Sequence, residues 1–155
     1  MAVEKWIGGS GQGLTWGSAF GTEINTLASG NAVISTVSIS NGTPLDIFAD
    51  VSYVQTGAAF TTAAPAFLGL YLYPLNNDGS TYGDGRFGSS AAGPPPANYG
   101  VGSISFAAAA STTIFGVWSR IVLPPGTFKF LLYNQAGITL VAATCNYRTY
   151  NRSIA

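Results

Sequence analysis

Apolar residues recur at every second position in one short run after another along this chain, and nowhere at the spacing of an amphipathic helix. Period-two patterning puts successive side chains on opposite faces of an extended strand. Each run is short and stops at Gly, Pro or Asn. Strands of this kind bury one face only by packing against a second sheet. The expected fold is therefore all-β: a β-sandwich or jelly roll of about eight short antiparallel strands. No repeat at a fixed period points to a solenoid or propeller. With 155 residues the chain is most simply one domain, large enough to bury roughly two-thirds of its unfolded surface.

Taken in order, residues 1–13 read as an N-terminal arm: a strand-like piece at 3–7, then the hinge Gly8-Gly9-Ser10-Gly11-Gln12-Gly13. Residues 14–155 form the sandwich domain. Strands are expected at 14–20 and at 32–39, the latter ending in a hairpin turn at Asn41-Gly42. Residues 45–54 alternate most cleanly, with Leu45, Ile47, Ala49, Val51 and Tyr53 on a core face. Asp46, Phe48, Asp50 and Ser52 then make a wet face. Residues 66–73, AFLGLYLY, are apolar throughout, as in a strand buried on both faces or covered by a partner. A long Gly/Pro-rich loop follows from 74 to about 102, of a length that usually carries function or disorder. Further strands are expected at 101–106, 138–141 and 143–150, with a helical turn at 107–110.

Between 114 and 137 two β-favouring runs flank Pro124-Pro125-Gly126. Joined as a hairpin, they set Ser119, Ile121, Leu123, Phe128, Phe130 and Leu132 on a core face. Trp118, Arg120, Val122, Lys129, Leu131 and Tyr133 then share an outer face, with Trp118 opposite Tyr133. A Pro-Gly type II turn suits a tight hairpin poorly. The alternative is that the two strands part into the two sheets.

Composition narrows function. Charged residues are only 8% and the formal net charge is zero, so self-repulsion is weak and an assembled state is favoured over a free enzyme. No basic excess exists to neutralise phosphates, and nucleic acid is not an expected partner. Histidine is absent, which removes Ser-His-Asp, Cys-His and histidine-metal arrangements. Cys145 is the single cysteine and alternates with Val141, Ala143 and Tyr147, as a buried structural thiol would. The start, MAVEKWIGG, lacks a signal-peptide core, and no apolar run approaches the ~20 residues of a membrane span. Synthesis in a cytoplasm, with no membrane partner, is the expectation.

The six carboxylates are Glu4, Glu23, Asp46, Asp50, Asp78 and Asp84. Asp46 and Asp50 share a strand face, but four residues at ~3.3 Å place them roughly 13 Å apart, beyond the ~5–9.5 Å of glycosidase pairs. They read as a solvated face. Asn76-Asn77-Asp78-Gly79-Ser80 through Asp84 is oxygen-rich enough to consider calcium, yet lacks an EF-hand's alternating ligands and closing Glu. Ordinary turn chemistry accounts for it. No catalytic residue, metal or cofactor is expected, and the chain does not read as an enzyme. Aromatics reach 13%. Trp118, Tyr133, Tyr82, Phe87 and Tyr99 are candidates for stacking on a sugar or anchoring an interface.

The C-terminal part, Trp118-Ser119-Arg120-Ile121-Val122-Leu123-Pro124-Pro125-Gly126-Thr127-Phe128-Lys129-Phe130, then Asn134-Gln135-Ala136-Gly137 and Tyr147-Arg148-Thr149-Tyr150-Asn151, resembles small structural proteins of tailed bacteriophages. It is most similar to head decoration, or cement, proteins of jelly-roll type. The resemblance implies a virion protein on the capsid exterior, a dimer or trimer bound to the major capsid protein and clamping neighbouring subunits. The contact residues expected on that basis are Trp6 and Ile7 in the arm, with Trp118, Arg120 and Tyr133 on the sheet. A Leu-Pro-Pro-Gly-x-Phe turn also recurs in carbohydrate-binding sandwiches, so the alternative is a carbohydrate-binding module or phage tail adhesin.

Overall fold

The computed structural model describes residues 4–8, 15–57, 66–85, 91–106 and 113–154, with backbone alone for 4–7 and 152–154. These form β1 (Glu4–Gly8), β2 (Gly17–Ser18), β3 (Asn31–Ile34), β4 (Ile39–Ser40), β5 (Phe48–Thr56), β6 (Ala66–Pro74), β7 (Ala91–Ala92), β8 (Gly100–Phe106), β9 (Thr113–Val122), β10 (Thr127–Gln135) and β11 (Ala143–Ile154). The first sheet runs β1-β11-β5-β9, with β2 also on β11. The second runs β7-β3-β10-β6-β8, with β4 also on β10. The strand pairings are antiparallel, and the two sheets pack as an all-β sandwich.

Phe128, Phe130 and Leu132 of β10, Leu68 and Leu70 of β6, and Val51, Tyr53 and Cys145 of the facing sheet fill the space between the sheets. Burial pushes the Cys145 thiol up, and the lone cysteine is a core residue as expected. The AFLGLYLY run is buried on both faces. Its even positions enter the main core, while Tyr73, with Leu131 and Tyr133 of β10, joins a second cluster on the outer side.

That outer cluster exists because the long loop folds back over the sheet. Leu75 bridges to Tyr82, Ala91–Ala92 pairs with β3, and a 3₁₀ turn at Ala97–Tyr99 brings Tyr99 to 4.6 Å from Tyr73, ring to ring. Residues 86–90, Phe87 among them, lie outside the described set, as do 107–110.

Three expectations change. The Asn41-Gly42 segment makes no hairpin: β3 and β4 pair with β10, and the next strand, β5, is in the other sheet. Asn41 instead turns inward, its Nδ2 donating to the carbonyls of Asp46 and Pro124. The 138–141 run forms no strand, because Asn134 Nδ2 donates to Ile138 O and the Leu140 N–H donates to Leu27 O. The Pro-Pro-Gly turn does not make a hairpin either, and the alternative of two parting strands holds. β9 ends in one sheet and β10 begins in the other, with Gly126 at φ 94 as a type II turn requires. Trp118 and Tyr133 therefore never meet.

β9 also departs from simple alternation. Ala49 pairs with Ile121, but Val51 pairs with Trp118, so Ser119 and Arg120 together oppose Asp50. This is a β-bulge, with Arg120 at φ 58. One extra residue reverses the face of everything before it. Trp118 consequently points inward, 5% exposed, and Phe115 and Val117 point outward.

Candidate functional site

The outer face of the first sheet is built around the bulge. The Asp50 side chain stands beneath it, and its Oδ1 accepts the Arg120 N–H at 3.0 Å and the Tyr150 hydroxyl at 2.9 Å. Its Oδ2 accepts Arg148 Nε at 3.1 Å and Nη2 at 2.9 Å. Four donors fill the roughly four lone-pair positions of a carboxylate. Burial, followed by the hydrogen bond to Asp50, raises the Tyr150 phenol above its usual range. The Arg148 guanidinium continues outward and lies 4.8 Å from the Trp16 ring centre. Asp46 is likewise buried, accepting Asn151 Nδ2 at 2.8 Å. The expectation of a solvated carboxylate face is thus corrected: both acids are buried and hydrogen-bonded by residues from the far end of the sequence.

Beside this polar knot, β9 presents an apolar column. Phe115 and Val122 are 70% exposed and Val117 57%. They stand opposite Val54, Phe48 and Ser52 of β5. Antiparallel sheets commonly turn one face to water, but that face is then polar. Phe115 and Val117 adjoin on this face, with Val122 beyond the bulge, and exposed apolar side chains grouped in this way mark contact surfaces.

The edge of β9 runs alongside the edge of β8. Gly100, Val101, Gly102 and Ser103 face the stretch from Val117 to Val122 across an open cleft of about 470 Å³. Trp118 forms its floor and ties the two sheets together, its Nε1 donating to Gly102 O at 3.2 Å.

Of the expected contact residues, only Arg120 is found exposed on this face. Trp118 is a core residue, for the parity reason given above. Tyr133, 8% exposed, is covered on the opposite sheet by the folded-back loop, with its hydroxyl donating to Gln135 Oε1. Trp6 and Ile7 lie on β1, whose backbone pairs with β11 of the same chain. Their side chains are outside the described set. Tyr82 takes Lys129 over its ring and shares a hydrogen bond with Ser38, and Tyr99 packs on Tyr73. Of the aromatics considered for sugar stacking, Tyr82, Tyr99 and Tyr133 thus pack into the cluster on the outer side of the second sheet, and Trp118 lies in the main core.

No protein-family model matches the chain, and no curated protein or solved structure matches it either.

The Asn76–Asp84 segment is closed by its own groups. Asp78 accepts the Thr81 hydroxyl and the backbone N–H groups of Thr81 and Ser80, which hold its carboxyl down at about 2. Asn76 Nδ2 donates to Thr81 Oγ1 and to Gly83 O. Among the described residues no three His, Cys, Asp or Glu side chains gather as a metal site would need, and no helix is long and apolar enough to cross a membrane.

The residues that sequence reasoning missed are Phe115 and Val117, whereas Val122 lies on the outer face as expected. A signal was present: the polar pair Ser119-Arg120 interrupts an apolar run and marks a bulge that reverses parity.

Proposed function

We propose that this chain is a non-enzymatic structural protein of a phage virion. It sits on the outer surface of the capsid and reinforces contacts between capsid subunits. The observation that carries the proposal is the uncovered apolar column of Phe115, Val117 and Val122 on a sandwich whose other sheet is covered by its own loop. Left in water, that column costs free energy that contact with another protein recovers. Low charge and zero net charge support a life in an assembly. The lack of histidine, and the binding of Asp46, Asp50 and Asp78 into structural hydrogen bonds, support a role without catalysis.

Gradient-purified virions test the proposal. The protein should band with intact capsids in a copy number locked to the capsid lattice and raise their resistance to heat. Absence from washed particles, or a copy number unrelated to the lattice, would defeat it.

A further inference from the structure

We propose that the free edge of β9, with the cleft between β8 and β9 beside it, receives an extended strand of a partner protein that carries a carboxylate between apolar side chains. This rests on the preceding reading that the chain binds another protein through this face, and it names the chemistry of what is bound.

Among the described residues β9 pairs only with β5, and β8 only with β6. Both strands end their sheets. An edge strand offers a row of unpaired N–H and C=O groups, and the ligand such a row recognises is another extended backbone. The cleft opens alongside that edge. Gly100 and Gly102 contribute no side chain to its wall, and Trp118 closes its floor.

Charge decides between possible occupants. The exposed Arg120 stands between Val117 and Val122, and among the described residues no carboxylate lies within ion-pair distance of its guanidinium. The nearby Asp50 holds the Arg120 backbone while its charge is met by Arg148. Arg120 also keeps a positive φ where glycine would be less strained, an outlier of the kind that clusters at functional positions. A carboxylate arriving between apolar side chains would pair with Arg120 as both lose water, and would be selected over a cation.

Among the described side chains, a second copy of this chain does not supply that acid. Glu23, Asp46, Asp50 and Asp78 each accept hydrogen bonds within their own chain, and Asp84 is engaged as well. Pairing β9 with β9 of another copy would place two Arg120 side chains on one edge without an anion between them.

A displayed library of random peptides of about nine residues, the length of a long strand, tests the proposal without assuming a sequence. Selected on the full chain, it should enrich peptides with Asp or Glu between β-branched or aromatic residues. The best of them should bind Arg120→Glu at least about tenfold more weakly and Arg120→Lys nearly as well as the parent. Its amide shift changes should fall on 100–103 and 117–122. Val122→Ser provides a second, uncharged variant that should also weaken binding. Enrichment without acidic bias, no enrichment at all, equal binding to Arg120→Glu, or shifts elsewhere would overturn it. Capsid banding is read separately. A chain that bands with capsids but shows no acid-selective peptide binding at β9 refutes only the strand-addition proposal. Acid-selective binding without banding refutes only the virion role.

Discussion

At the scale of single residues, the polar groups of this protein act as fasteners. Asp50 is the clearest: it joins the bulge backbone, Arg148 and Tyr150 in one hydrogen-bonded knot. Asp50→Ala leaves Arg148 without its anion and the Tyr150 hydroxyl without its acceptor. Breaking a buried pair costs about 3–5 kcal/mol, and with Arg148 partly in water about 2–4 is expected here. Asp50→Asn keeps an oxygen for Tyr150 and the bulge and should lose about half as much; urea unfolding of both variants measures the difference. Gly83 makes a steric prediction. At φ 58, a Cβ there would stand 2.3 Å from Cδ2 of the buried Tyr73 ring. Gly83→Ala adds overpacking to a left-handed backbone and should cost about 2–4 kcal/mol by the same assay. The sequence showed these acids only as alternate positions on a strand. Their donors lie 70 to 105 residues further along the chain, a distance over which strand periodicity is silent.

Glu23 and Asp78 contribute to the acid limb of stability. Burial pushes the Glu23 carboxyl up, but hydrogen bonds from the Thr36 and Gly21 backbone and the Thr36 hydroxyl outweigh it and hold the group below its ordinary 4.5. The Thr81 hydroxyl and neighbouring N–H groups bring Asp78 from 3.8 to about 2. Both values are lower folded than unfolded. Their stabilisation is therefore complete above the unfolded values and is lost as pH falls through the folded ones. Thermal midpoints should drop more steeply between about pH 4.5 and 2 in the parent than in Glu23→Gln/Asp78→Asn, and parallel curves would contradict this assignment.

At the scale of elements, the decisive event is the bulge of β9. The apolar run from 114 to 123 supports either parity, and a hairpin at Pro-Pro-Gly selects the wrong one for Trp118. Where periodicity met no bulge, it served well: β5 places Ala49, Val51 and Tyr53 in the core as alternation requires, and β6 is buried on both faces. It failed at Leu45 and Ile47, which precede β5 and remain exposed. Trp118 now spans the two sheet edges through Nε1 and Gly102 O. Trp118→Phe retains most of the buried ring and removes that donor, leaving the carbonyl to water at the cleft. A loss of about 1 kcal/mol is expected, with faster amide exchange at 100–103 than in the parent. Unchanged exchange there would mean that the hydrogen bond does not hold β8 to β9.

At the scale of the whole molecule, the sandwich is asymmetric. Chain from the long loop covers the outer side of the second sheet and buries Tyr73, Leu131 and Tyr133. Among the described residues, the first sheet has no such cover over β9. Sequence composition foretold a surface poor in charge, but it could not say which sheet the loop would claim. The asymmetry separates stability from binding. Phe115, Val117 and Val122 already face water in the isolated chain, so replacing them with Ser, Thr and Thr removes little that folding buries. Surface changes of this kind usually stay within about 0.5 kcal/mol each, although losing the aromatic ring of Phe115 opposite Val54 adds a few tenths. The triple variant should melt close to the parent and be more soluble, because the exposed column no longer offers an apolar contact. Its occupancy on capsids, measured by sedimentation at matched concentration, should fall by at least about tenfold, since the buried core of an interface carries most of its affinity. A variant that melted far below the parent would show the column to be part of the fold. One that melted with the parent and still saturated capsids would place the contact elsewhere on the molecule.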